Sequence, residues 1–220
     1  MTKSVNGQRL VVVDLDGTIT KSDTLIPFLT GCFLRHPRFR LRLLALPLDI
    51  LAFAVGRFDT TEFKERLLTA FIGGLPAGLV DSWAREFASR IVDSGCRPAI
   101  LSFIRQALER ENRLVVLSAS PEIYVRAIAQ NLGITETIAT RVEVHSGRYT
   151  GKLLGTNCKG QEKLRRLKEY LETHRYEGLT MAIGNEESDL AVLEWANEGW
   201  MVRDGRMSLR HFTNSENILC

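Results

Sequence analysis

Three apolar, largely β-branched runs stand out from an otherwise mixed chain: LVVVD (10–14), LVVLS (114–118) and LTMAIGN (179–185). A short apolar run bounded by turn residues predicts a strand buried on both faces, as in a parallel sheet. Each run leads into turn chemistry and then a helical pattern. After the second, SPEIYVRAIAQNLG places Pro121 in a helix's first turn and Gly133 at its C-terminal cap. After the third, SDLAVLEWANEG takes Ser188 as N-cap and Gly199 near the helix end. Strands alternating with helices predict an α/β fold: a Rossmann-like parallel sheet core with helices on both faces. Between Thr140 and Asn157 the pattern alternates around Ser146-Gly147, which predicts a hairpin excursion.

The segment from about Leu25 to Ser94 has no strand-like run and reads as several helices, including TTEFKERLLTAFI and GLVDSWAREFASRIVDSG. It predicts an inserted α-helical cap over residues 24–94, with residues 1–23 and 95–220 forming one discontinuous core. Within it, Arg35, His36, Arg38, Arg40 and Arg42 precede an apolar stretch from Leu43 to Val55. A membrane-spanning helix needs about 20 apolar residues, so this stretch is too short to cross. It reads either as a buried cap helix with a solvated basic start, or as an interfacial helix whose arginines meet anionic headgroups.

The totals remove several alternatives. With 220 residues, 45% hydrophobic and 25% charged, collagen-like, coiled-coil and disordered chains are excluded. A net charge of +3 is too small to imply a nucleic-acid partner. Cys32, Cys96, Cys158 and Cys220 are far apart without a CxxC, so neither a disulfide framework nor a zinc site is expected, and a reducing compartment fits. MTKSVNGQRL carries no apolar signal core, so the expected location is cytoplasmic, with peripheral contact at the inner face of the membrane as the alternative.

In an open α/β sheet, ligands bind beyond the carboxyl ends of the strands. Here those ends carry Asp14 and Asp16, Ser118, and Asn185, with Asp189 just beyond. Taken singly, Ser118 reads equally as a loop hydroxyl and Asp189 as a helix-dipole acid. Two acids closing a buried strand are different, because a buried carboxylate is costly without a cation or donors.

VVVDLDGT resembles the first motif of the haloacid dehalogenase superfamily, VVLSAS its second, CKGQEKLRRL its third and IGNEESD its fourth. The helical insertion between the first two resembles the cap of the phosphoserine-phosphatase-like branch. VLSASPEIYV and NCKGQEK are similar to the bacterial phosphatidylglycerophosphatase C type. The resemblance implies a Mg2+-dependent phosphomonoester hydrolase working through an aspartyl-phosphate intermediate. Asp14 would attack phosphorus and Asp16 would serve as acid and base. Ser118 and Ala119 would contact phosphate, and Asp14, Asp16, Asn185 and Asp189 would surround the metal. The motif lysine is Lys159 or Lys163, and the C-x-G-x-x-K spacing favours Lys163. An acid at position 16 marks phosphatases and phosphomutases within the superfamily, and no GxxxxGK[ST] supports a kinase.

Two departures matter. The fourth motif usually opens on Asp, where this chain has Asn185. Phosphoserine phosphatases carry Ser and Glu where this chain has Gly17 and Asp23, which weakens phosphoserine as substrate and leaves Asp23 as the expected substrate contact. The expected partner is a phosphorylated small molecule or a lipid phosphate. Phosphotransfer to an organic acceptor, or a lipid- or protein-binding module on a degenerate core, are the alternatives.

Overall fold

The computed structural model describes residues 9–35, 46–203 and, as backbone alone, 206–213. Six strands form one sheet: β1 (Leu10–Val13), β2 (Arg113–Pro121), β3 (Glu136–Thr140), β6 (Thr180–Gly184), β7 (Glu198–Arg203) and β8 (Arg206–Thr213). Their order is β3-β2-β1-β6-β7-β8, parallel throughout except for β8, which runs antiparallel to β7. The three predicted strands are thus its centre, with β1 between β2 and β6. β4 (Val142–His145) and β5 (Arg148–Leu153) form the expected hairpin.

Alternation along the central strands builds two cores, because successive side chains point to opposite faces. Val11, Val13, Val116 and Ile183 pack toward α5 (Pro98–Glu109) and α6 (Glu122–Asn131). Leu10, Val12, Val115, Leu117 and Ala182 pack on the other face with Leu167 and Leu171 of α7 (Gln161–Thr173) and Leu193 of α8 (Leu190–Trp195). Helices on both faces explain why these strands are apolar without alternation.

Among the described residues, four α-helices lie between β1 and α5: α1 (Leu25–Arg35), α2 (Leu46–Ala54), α3 (Thr60–Ile72) and α4 (Ala77–Arg90). The ends of this insertion are tied together by Lys21 N–H to the Gly95 carbonyl and Arg97 N–H to the Ile19 carbonyl, each 2.8 Å. Phe28 of α1 packs against Trp83 and Phe87 of α4 and against Tyr124 of α6, so one aromatic cluster joins insertion to core. The hairpin leans on the insertion: Gly74 N–H donates to the Tyr149 carbonyl and Tyr149 N–H to the Leu75 carbonyl. At Gly151 (φ 88°) a Cβ would lie 2.4 Å from the Thr69 backbone, so the close approach of β5 to α3 requires glycine. The basic positions Arg38, Arg40, Arg42 and His36 lie outside the described residues.

Two helix-end expectations change. Ser188 is not the N-cap of α8; it sits inside a tight turn, Glu187–Asp189, and Asp189 occupies the cap position. Gly199 does not end α8, which stops at Trp195; it lies in β7, where a Cβ would fall 2.1 Å from the Leu193 carbonyl oxygen. It lets the strand pass close under the helix. Gly199→Ala should therefore destabilise the protein by about 1–3 kcal/mol, the usual cost of overpacking. Urea unfolding measures this, and an unchanged midpoint would show that the contact relaxes freely.

Candidate active site

Parallel pairing carries the ends of β1, β2 and β6 to one edge of the sheet. Asp14 follows β1 directly, its N–H bonded to the Ile183 carbonyl at 2.9 Å. The chain then makes one wide turn, Leu15–Ile19, in which Gly17 has φ 77° and a Cβ would fall 2.3 Å from the end of the Asn185 side-chain amide. That close approach is why Gly17 follows the acids.

Lys163, in the first turns of α7, is buried at 3% exposure and bridges two carboxylates. Its Nζ donates to Asp14 Oδ1 at 2.6 Å and to Asp189 Oδ1 at 2.7 Å. Burial alone would lower its pKa, but the attraction of Asp14 and Asp189 outweighs burial and holds it above the usual lysine range. Burial pushes the Asp14 carboxyl up to about 7, against the pull of the Lys163 ammonium. Lys159, the alternative from spacing, is exposed at the cavity edge.

Asp189 spends its second oxygen on the N–H groups of Asn185 and Glu186, each at 3.0 Å. The sequence reading placed it among metal ligands; here its carboxylate is occupied by Lys163 and the loop backbone. Asp16 lines the same cavity. Its Oδ1 accepts from Thr24 N–H (2.8 Å) and Oγ1 (2.6 Å), and its Oδ2 from Ser120 Oγ (2.5 Å). Burial raises its pKa, and the bonds from Ser120 and Thr24 oppose that rise. The carboxyl is thus turned away from Asn185, and Asp16 faces that side with its backbone carbonyl.

Among the described residues no three His, Cys, Asp or Glu side chains gather as a metal cluster. The Asn185 amide, with its ends exchanged so that nitrogen meets the acceptors, lies 2.8 Å from the Asp16 carbonyl, 3.2 Å from Asp14 Oδ2 and 2.9 Å from Thr18 Oγ1. A carboxylate, a peptide carbonyl and an amide that can also present its oxygen meet at one point. Hard oxygen donors of this kind, completed by water, suit Mg2+.

Asp14, Asp16, Asp23, Ser118, Ala119, Lys163 and Asp189 line a single cavity of ≈ 180 Å³, while Asn185 stands behind it. Ser118 is buried, and its Oγ accepts from Ser120 N–H at 3.0 Å. Asp23 Oδ1 accepts from Leu25 N–H at 2.9 Å, so it also caps α1. Sequence reasoning missed Ser120, Thr24, Asn157 and Lys64. Ser120 had a signal, since Ser118 and Ser120 share one face of a strand end. Lys64 had none in its amphipathic helix. It reaches from α3 to donate to the Ala119 carbonyl (2.8 Å) and Asn157 Oδ1 (2.7 Å).

Comparison with known proteins identifies the family. Residues 11–194 match the model of the haloacid dehalogenase-like hydrolases. Protein CicA of Caulobacter vibrioides is 30% identical over 199 residues, spanning 90% of this chain and 87% of its own. A histidinol-phosphatase of Neisseria meningitidis is 28% identical over 119 residues, 52% of this chain and 54% of its own. The fold of a probable phosphoserine phosphatase from Vibrio cholerae superposes with a TM-score of 0.63 at 16% identity, covering 87% of this chain and 55% of that one. The expected fold class and superfamily hold, and the chain belongs to the haloacid dehalogenase-like hydrolases.

Proposed function

We propose that the protein hydrolyses phosphomonoesters through a phosphoryl group carried on Asp14, with Mg2+ beside it. The observation that carries this reading is the division of labour between two acids facing one cavity. Asp14 is fixed by a buried lysine that favours its anion. Asp16 lies beyond that lysine's contacts: burial raises its pKa while the hydrogen bonds from Thr24 and Ser120 oppose the rise, a balance suited to a group that gives and takes a proton.

Asp14 forms a bond to phosphorus as the ester P–O bond breaks, and Asp16 gives its proton to the departing oxygen. A water then attacks phosphorus, Asp16 takes its proton back, and the Asp14–phosphorus bond breaks to release phosphate. Ser118 and the backbone around Ala119 line the cavity where phosphoryl oxygens would sit. Mg2+ held by Asp14, the Asp16 carbonyl and Asn185 would shield the incoming phosphate from Asp14. The substrate is a small-molecule or lipid-headgroup phosphate, and Gly17 with Asp23 weighs against phosphoserine.

Asp14→Asn should abolish phosphate release with the fold retained by circular dichroism. Asp16→Asn should lose about 10²–10⁴-fold in rate, the usual value of a positioned acid/base. Near-normal turnover by Asp14→Asn would end this mechanism.

EDTA should remove activity and Mg2+ restore it. Asn185→Asp adds a negative charge to the donor set, so its half-activating Mg2+ concentration should fall. An unchanged or higher value would take Asn185 out of the metal site.

Lys64 has three N–H groups and donates two of them to Ala119 and Asn157, which leaves one for an anionic substrate. Burial, aided by Lys159, pushes its ammonium down to about 8. The charge is present below that pH and lost above it, so KM should rise as pH passes through it. Lys64→Met should show a higher KM that lacks this step. A wild-type step that persists in Lys64→Met would assign it to another group.

A further inference from the structure

Helix α2 is built inside out. Its outward arc carries Pro47, Leu48, Ile50, Leu51 and Ala54, followed by Val55, all exposed and all apolar. Leu48, Leu51 and Val55 form one stripe, with 69%, 61% and 64% of their surface open. The acid of this helix, Asp49, faces the protein instead and pairs with Arg66 of α3 at 2.9 Å. A helix on a water-exposed surface shows the opposite arrangement, polar outward and apolar inward. The helix is nevertheless firmly seated, since Phe53 stacks on Phe63 of α3 with ring centroids 4.3 Å apart. Leu34, exposed at 68% near the end of α1, adds to the apolar surface of the same insertion.

The sequence leading into this face carries charge of one sign, although Arg35 itself pairs with Glu86 and the exposed Asp59 and Glu62 follow the helix. From Thr24 to Leu48 the sequence contains no Asp or Glu, but it contains Arg35, Arg38, Arg40 and Arg42. Arg57 follows, exposed, just beyond Val55. An apolar arc next to a run of arginines matches a surface that offers hydrocarbon beneath anionic headgroups. Among the described residues no helix is long and apolar enough to cross a membrane, and nine-residue α2 spans only about 14 Å at 1.5 Å per residue.

We propose that the outward face of α2 docks the protein on an anionic phospholipid bilayer, lying in the interface with Leu48, Leu51 and Val55 in the acyl boundary. The proposal stands apart from the catalytic reading, since none of these residues lines the cavity. Because α3 carries Thr60 and Lys64 into the cavity and α2 rests on α3, docking would set the cavity one helix away from the lipid surface.

The test is sedimentation of the full chain with phosphatidylglycerol–phosphatidylcholine vesicles and with phosphatidylcholine vesicles alone. Wild type should pellet with the anionic vesicles, less as salt rises, and stay largely in solution with the neutral ones. Leu48→Gln/Leu51→Gln/Val55→Gln should weaken partitioning on the order of 100-fold, since three apolar side chains no longer enter the interface. Its melting temperature should match wild type, because these side chains are exposed. The proposal is overturned if wild type stays in the supernatant at low salt, or if the triple variant pellets equally well. A wild-type dimer that the variant splits, seen by sedimentation velocity without vesicle binding, would assign the face to a second copy instead.

Discussion

The ammonium of Lys163, buried between Asp14 and Asp189, is the interaction on which the rest of the site depends. Burying three charged groups carries a desolvation cost of several kcal/mol per ion, which only short, well-oriented contacts offset. The 2.6 and 2.7 Å contacts do so, and removing one partner of such a group typically costs about 3–5 kcal/mol. The bridge spans three elements, the end of β1, the loop after β6 and the start of α7. It therefore fixes their relative placement as well as their charge. Gly184 belongs to the same construction: a Cβ there would lie 2.6 Å from the Asp189 side chain, so Asp189 can close on Lys163 only over a glycine. With Asp189 anchored to the N–H groups of Asn185 and Glu186, the loop brings Asn185 against Gly17.

One lysine does not neutralise two aspartates. The surplus negative charge at Asp14 lies on the side away from Lys163, toward the Asp16 carbonyl and Asn185. A hard cation is best placed there, where it meets oxygen donors without competing with the lysine. Lys163 orients Asp14 from one side, and on the proposed reading Mg2+ would take the other.

Much of this arrangement was legible because parallel strands deliver their ends to one edge. Asp14, Ser118 and Asn185 could be grouped from three apolar runs alone. What escaped was of two kinds. β3 and β7 read ETIAT and EGWMVR, short and mixed, because each is nearer the sheet's rim than β1 and carries less of the two-sided apolar signal. The other kind was orientation. Spacing places Asp16 and Asp189 at the site but does not say that Asp16 turns its carboxyl toward Thr24 and Ser120, or that Asp189 serves Lys163. Those outcomes depend on donors eight and 104 residues away for Asp16, and 26 away for Asp189. Lys64 was hidden for a related reason: on a helix with a polar face, a lysine that enters a cavity looks like one that meets solvent.

Residues of the insertion also line this cavity, and Thr24 and Lys64 tie it to the core there. Lys64 crosses from α3 to the Ala119 carbonyl and Asn157, the point where cap and core meet over the cavity. Away from the cavity the insertion is held by the Phe28–Trp83–Phe87–Tyr124 cluster and by backbone pairing at Lys21 and Arg97. Hydrogen bonds to a charged group contribute only about 1.5–3 kcal/mol each, whereas an aromatic cluster buries far more surface. An incoming phosphate would meet the third N–H of that ammonium while the other two stay on Ala119 and Asn157, so the lysine that ties α3 to the core would also touch the ligand.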